Sequence, residues 1–359
     1  MCIYMYSVVK KMKKIVIGSL RKSAGKTSII LGLSVASKKK ISYLKPFGDR
    51  LVYRKKQLWD YDSLLLANVL KLSEEPQDMT LGFEHSKLRF MYSEADLKKE
   101  LLKRVADFGT DKDIIFIECG EDLTYGKSLN LDAISLTKSI DGKLILVING
   151  DPNKIIDEIQ FIKDYIVSEK ATQKIDFGGV IINKVEDLED FNGTYLSMIE
   201  EIGVKILGVV PKLEELTRIS LHYLADNLFA KVIVGEEKLD NLVQSIFIGA
   251  MSANQAIKDP RFRKKNRLII TSGDRSDIII GALENYTAGI ILTNNIMPPP
   301  NIISKVEDHN IPMLLVPSDT YQIAKQIEGM EPLLTKNDNV RTKLLVELVK
   351  KYIKINEVI

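Results

Sequence analysis

The chain has 359 residues, 45% of them hydrophobic and 28% charged, with a formal net charge of +3; this is a globular composition with room for roughly two domains, not a disordered or fibrous one. Two cysteines, Cys2 and Cys119, and three scattered histidines argue against a disulfide framework and a structural zinc site, and the mild, evenly spread charge leaves no footprint for nucleic acid. No apolar run reaches the roughly 18 to 20 residues of a membrane span, and the N-terminus lacks a long apolar core with a small-residue cleavage site, so a cytoplasmic protein with no membrane partner is expected.

Met12 opens "MKKIVIG", a common start for a first buried strand, and residues 1–11 read either as an extension or as an upstream start artefact, set outside the fold. Short runs rich in Ile, Val and Leu follow at 15–17, 41–44, 114–117, 144–148, 179–182 and 206–210. None alternates polar with apolar residues, so each is expected to be buried on both faces. Segments with helical spacing lie between them at 25–37, 63–72, 95–105, 129–140, 153–167 and 194–202. The alternation predicts a doubly wound, mostly parallel α/β sheet over residues 12–212. After Pro211 a second set of runs, at 230–234, 268–271, 289–292 and 313–316, predicts a smaller α/β domain over residues 213–335. "NIMPPPN" (295–301) punctuates it, because three prolines cannot lie in a helix interior and Pro300 suits the first turn of the next helix. Residues 336–359 hold an amphipathic helix, "NVRTKLLVELVKKYIKI", that must dock on a domain or on a second copy. The Lys38–Lys40 run reads as the solvated end of the first long helix, where cations suit the dipole.

The chemistry concentrates in "IVIGSLRKSAGKTSIILGLS" (15–34). Gly25-Lys26-Thr27-Ser28 follows a buried strand and opens an apolar helix, the context that a phosphate-binding loop requires. In such a loop the backbone N–H groups of Ser23, Ala24, Gly25, Lys26, Thr27 and Ser28 cradle phosphate oxygens, Lys26 reaches the outer phosphates and the Thr27 hydroxyl coordinates Mg²⁺. Gly25 lets the backbone approach a phosphate without a Cβ in the way. One position departs from the common pattern: Leu20 stands where G-x-x-x-x-G-K-[ST] has its first glycine.

That departure has a parallel. "GSLRKSAGKTS" resembles the loop of the dethiobiotin-synthetase-like P-loop family, where a longer lead follows the first strand and an extra basic residue precedes the GKT; Arg21 and Lys22 stand in that place. "YLKPFGD" (43–49) is similar to that family's K-P-x-G segment and implies a place for Lys45 near the phosphates or a second substrate. "WDYDSLL" (59–65) resembles its D-x-D-A segment, which makes Asp60 and Asp62 either Mg²⁺ ligands or caps of the helix that follows. "IFIECGED" (115–122) resembles a strand ending in E-G-x-G, with Glu118 on the metal side; here Cys119 replaces the first glycine and Glu121 adds a negative charge. "GGVIINKVED" (178–187) implies Asn183 near the base. It is also similar to the guanine-reading N-K-x-D of GTPases, with Glu186 in the aspartate's place, so ATP is expected and GTP is its competitor. "ILGVVPKLEEL" (206–216) looks like the family's G-x-I-P turn beside the base, which brings in Pro211. Lys26, Lys45 and Glu118 are the candidate catalytic groups, positioning phosphates and neutralising developing charge.

The second half narrows the resemblance. "FIGAMSANQAI", "NRLIITSGDRSDIIIGAL", "AGIILTNN" and "IPMLLVPSDTYQIAKQI" resemble the DRTGG domain, which in many bacterial phosphotransacetylases follows a dethiobiotin-synthetase-like domain. Within it Asp274 or Ser276 is expected to cap a helix and Arg275 to pair with an acid or an anion, while Asn294 and Asn295 replace the family's usual glycines. The resemblance spans residues 12–327 and leaves no acyltransferase domain in the chain, so acetyltransferase activity is not expected. It implies a Mg-ATP-dependent regulatory or assembly module, a homodimer by analogy with related P-loop proteins, and an acyltransferase or another protein as partner. The alternative is an ATP-dependent ligase or synthase that activates a carboxylate, of the dethiobiotin or cobyrinic acid a,c-diamide synthase type.

Overall fold

The computed structural model describes residues 12–54, 57–167, 175–249, 251–283 and 287–359; the N-terminal extension with Cys2, and Ala250 of the "FIGAMSANQAI" segment, lie outside them. The chain divides into two compact units, residues 1–212 with 342–359, and residues 213–341.

In the first unit β1 (Lys13–Ser19), β2 (Ile41–Leu44), β5 (Ile114–Glu118), β6 (Lys143–Ile148), β7 (Asp176–Val185) and β8 (Ile206–Pro211) form one sheet in the order β2-β5-β1-β6-β7-β8. Every pairing in it is parallel. Strands such as Ile114–Glu118 are buried along their whole length, as the unbroken apolar runs predict for a sheet covered on both faces. One core joins Val16, Ile115, Ile117, Leu144, Leu146, Val180 and Ile182 to Leu97, Leu101, Leu136, Ile155 and Ile159 of the covering helices. Strand order reverses around β1. An open α/β sheet binds ligands outside the carboxyl ends of its strands at such a point.

Local chemistry trims two expected helices. The segment 129–140 is helical only over Ala133–Ile140, because Asn130 takes a left-handed φ of 54° and the Asp132 side chain caps the new start through Ser135 N. The segment 153–167 is α-helical over Pro152–Ile162, opened by the Asp151 cap, and then loosens into a π-type turn. Unforeseen in the sequence is an antiparallel hairpin of β3 (Leu51–Arg54) and β4 (Gln57–Asp60) that leads into α2 (Tyr61–Leu70). The C-terminal helix Asn339–Tyr352 brings Val349 against Gly32, where an added Cβ would lie 2.4 Å from Val349 Cγ2, and Lys354 N then bonds to Leu207 O at 2.8 Å. Residues 342–359 of the C-terminal segment are therefore part of the first unit.

The second unit holds β9 (Ile219–Ser220), β10 (Lys231–Val234), β11 (Leu242–Val243), β12 (Ser245–Ile248), β13 (Arg267–Ser272), β14 (Thr287–Thr293) and β15 (Met313–Leu315). Five of them form a sheet in the order β10-β15-β14-β13-β12, in which only β10 runs antiparallel to its neighbour. Separate apolar clusters cover its two faces, one with Leu268, Ile270 and Ile291, the other with Phe247, Ile269 and Ile290. Edge strand β12 escaped the sequence reading.

Candidate functional site

The loop Leu20–Gly25 joins β1 to α1 (Lys26–Ser37). Gly25 has φ +99°, and a Cβ there would sit 2.3 Å from Asn183 Nδ2, so both backbone conformation and crowding demand glycine. The crowding is a brace. Asn183 Nδ2 donates to Ala24 O at 2.9 Å, and Lys184, itself at φ 59°, donates from Nζ to Ser23 O at 2.8 Å. The end of β7 thus clamps the loop by two carbonyls. No side chain caps α1, which leaves the first-turn N–H groups of its buried N-terminus available to an anion. Lys26 is buried too: its ammonium donates to Ser19 Oγ at 2.9 Å and to Glu121 O at 3.3 Å. Burial lowers its pKa, with Glu118 and Asp49 opposing.

Beneath the loop lies a group of buried charges. Thr27 Oγ1 donates to Glu118 Oε1 at 2.9 Å, and the Tyr43 phenol donates to Glu118 Oε2, also at 2.9 Å. Lys45, fully buried, places Nζ 2.5 Å from Asp49 Oδ1, 3.3 Å from Asp60 Oδ2 and 2.5 Å from Asp62 Oδ2. Arg50 Nη1 reaches both Asp62 oxygens at 3.1 Å. Burial would raise the Asp62 carboxyl, but Lys45 and Arg50 overcome it and hold the group down at about 2. Glu118 goes the other way, pushed up to about 7 by burial and by the charge of Asp62. Lys45 keeps its proton well above the ordinary lysine range, since its four carboxylate neighbours outweigh the penalty of burial.

Apart from Ser28, which follows Thr27 in the first turn of α1, and Pro211, every residue expected at the site takes part in this arrangement or in the loop; Pro211 ends β8 in register with Val185 of β7, two residues beyond Asn183. Of the four residues expected at a metal, Thr27 and Glu118 face each other directly and offer the hard oxygen donors that suit Mg²⁺. Asp60 is engaged elsewhere, and Asp62 lies near Thr27 as well as holding Lys45 and Arg50. Asp60 Oδ1 caps α2 through Asp62 N and Ser63 N, and with Asp49 the two form a carboxylate trio in which the Lys45 ammonium already sits. The two basic residues of the lead serve as struts: Arg21 pairs with buried Glu158, and Lys22 with Glu121 at 2.9 Å. Glu186, in the N-K-x-D register, pairs with Lys212 at 2.5 Å. Cys119 is a core residue, its thiol pKa raised by burial. Sequence reasoning missed Ser19, Tyr43, Arg50 and Lys184 as site residues. Only the place of Ser19 at a strand end and of Lys184 within the N-K-x-D register offered a signal.

The carboxyl edge of the second sheet is built differently. A Cβ on Gly273 would fall 1.8 Å from Ile296 O, so the two loops pack backbone to backbone. Arg275 donates to Gly249 O at 3.2 Å, to Met251 O at 2.7 Å and to Asp277, answering the expectation of an acidic partner. Asn294 and Asn295 have φ of 59° and 53°, the left-handed conformation that favours glycine and that asparagine tolerates next best. Their substitution for glycine thus preserves the turn.

The chain matches the AAA domain family over residues 13–220 and the DRTGG domain family over residues 223–330. It is 28% identical over 351 residues to a phosphate acetyltransferase of Synechocystis sp., a match that covers 92% of this chain and 49% of that protein. A phosphate acetyltransferase of Pseudomonas aeruginosa is 24% identical over 281 residues, covering 72% and 39%. The chain therefore spans about half the length, or less, of these curated relatives. Among solved structures, the MinD cell division protein of Aquifex aeolicus aligns with 57% of this chain and 84% of its own at 17% identity and a TM-score of 0.35. The CBS and DRTGG domains of the regulatory region of Clostridium perfringens pyrophosphatase, complexed with the activator diadenosine tetraphosphate, align with 38% of this chain and 62% of their own at 21% identity and a TM-score of 0.29. Both superpositions are weak, and the fold assignment stands on the strand order itself. Among the described residues no helix is long and apolar enough to cross a membrane.

Proposed function

We propose a Mg-nucleotide-dependent regulatory or assembly role for this chain, which belongs to the AAA domain family and carries a DRTGG domain after it, the pairing found in the N-terminal region of phosphate acetyltransferases. The observation that carries the reading is the 2.9 Å bond between Thr27 and Glu118 beneath an uncapped helix start. It brings a loop hydroxyl and a strand-end acid to one point beside N–H groups free for phosphate. There Thr27 and Glu118 would hold Mg²⁺, which supplies charge neutralisation for the outer phosphates. Lys26 sits close enough to serve the same phosphates, and Asn183 keeps the loop in shape. ATP is the nucleotide we favour over GTP, because Glu186 stands where the guanine-reading register has its aspartate, and its carboxylate pairs with Lys212. A homodimer and an acyltransferase or other protein partner belong to the same reading, as does a cytoplasmic setting.

The test is the thermal unfolding midpoint with and without Mg-ATP and Mg-GTP, for the wild type and for Lys26→Ala. A ligand at a hundred times its dissociation constant adds about 2.7 kcal/mol to stability. The expected outcome is a rise with Mg-ATP that Lys26→Ala removes; no shift with either nucleotide would end the nucleotide reading. Single-turnover phosphate release that is fast only with a carboxylate substrate would replace the regulatory role by that of a carboxylate-activating ligase.

A further inference from the structure

Tyr43 has no task in the reading above, yet it is among the largest side chains with no exposure at all. It lies in β2 in register with Phe116 of β5, two residues before Glu118. Packing alone would be served by phenylalanine. A buried hydroxyl is tolerated only with a partner, and the partner here is a single atom, Glu118 Oε2 at 2.9 Å. The other oxygen, Oε1, is the one that Thr27 holds. The terminal torsion of a glutamate is broad and nearly two-fold, so one hydrogen bond leaves its carboxylate plane free to turn. Two donors from opposite sides, one on α1 and one on β2, fix it.

We propose that Tyr43 is a positioning residue for the nucleotide site: it orients the Glu118 carboxylate so that Oε1 is presented to Thr27 and to the Mg²⁺ of a bound nucleotide. The proposal rests on the Mg-nucleotide reading and assigns the metal-dependent part of nucleotide affinity to a residue that touches neither metal nor phosphate. A residue that mattered only for packing would weaken binding with and without metal alike.

The experiment is a titration with a fluorescent ATP analogue, in EDTA and in saturating Mg²⁺, on the full chain of the wild type, Tyr43→Phe, Glu118→Gln and the double variant. For Tyr43→Phe the expected result is an unchanged affinity in EDTA and a Mg²⁺ enhancement reduced roughly ten- to a hundredfold, the size of one hydrogen bond to a charged group. In the Glu118→Gln background, adding Tyr43→Phe is expected to change the Mg²⁺ enhancement no further. This pair also decides the matter if Tyr43→Phe alone does not fold, since the double variant leaves no uncompensated buried charge behind. Equal losses in EDTA and Mg²⁺, no loss at all, or a further loss in the double variant would overturn the proposal and leave the nucleotide reading standing. A wild type that binds no analogue, or binds it without regard to Mg²⁺, would overturn both.

Discussion

The carboxyl edges of the two sheets start from the same architecture and handle charge in opposite ways. In the first unit Lys26, Lys45, Asp60, Asp62 and Glu118 are all buried around the phosphate loop. In the second unit the corresponding edge has one arginine, Arg275, which spends its donors on Gly249 O, Met251 O and Asp277, while Gly273 lets two loops close against each other. Buried charge is costly unless paired, and a hydrophobic replacement is often as stable. A fold that keeps five ionisable side chains at one strand edge therefore retains them for something other than stability. At the second edge Arg275 completes the adjoining loops, although the buried Thr271 hydroxyl has no hydrogen-bond partner there among the described residues. The contrast accords with the nucleotide site proposed for the first sheet, while the bonds of Arg275 close the loops of its own edge.

The sharpest way to break this contrast is Lys45→Met. It leaves Asp49, Asp60 and Asp62 with Arg50 as their remaining cation, and removing one partner from a buried ionic group destabilises by about 3 to 5 kcal/mol. Denaturant unfolding followed by hydrogen exchange in α2 and the β3–β4 hairpin should show that loss in the first unit. A small effect would mean that the carboxylates protonate easily, and that the group is not held together by Lys45. Arg275→Ala is the matched change in the second unit. Because Arg275 is partly exposed, its bonds to two carbonyls and to Asp277 should contribute only about 1 kcal/mol. Exchange protection of β12 and β13 should fall, and the nucleotide-induced shift in unfolding midpoint should stay. Loss of that shift in Arg275→Ala would place ligand chemistry at the second edge after all.

The sequence and the structure agree wherever physical requirements leave a local trace. Parallel strands buried on both faces read as unbroken apolar runs, and every strand expected of the first sheet is present. The β3–β4 hairpin left no such trace, because "LVYRKKQLWD" places basic residues between its apolar ones and exposes Leu51, Tyr53 and Leu58. At the site, Lys26 and Thr27 were legible because their spacing relative to strand and helix is fixed by the loop, and Glu118 through the resemblance of its strand end to the family's E-G-x-G segment. Tyr43 was not: in a buried strand its ring reads as packing, and only the register of β2 on β5 brings its hydroxyl to Glu118. The two substitutions after Glu118 looked like departures from the family pattern, yet Cys119 packs into the core and Glu121 offers Lys26 a backbone carbonyl that any residue would supply.

The smallest expected effect, that of Asn294→Gly, tests the same lesson in the second unit. Asn294 and Asn295 both adopt left-handed conformations, with Asn294 N bonded to Ser318 O at 3.0 Å and Asn295 N to Val316 O at 3.0 Å. If backbone conformation is the requirement at this turn, Asn294→Gly relieves a mild strain while it loosens the unfolded chain, and the net change in stability should stay within about 0.5 kcal/mol. Asn294→Val keeps a side chain of similar size but adds β-branching to a left-handed residue, which should destabilise by about 1 to 2 kcal/mol. Thermal unfolding of the two variants separates the explanations. Equal, substantial losses in both would mean that the asparagine amide, and not the turn, is what the position needs, and the second edge would then hold a polar group with work beyond closing its own loop.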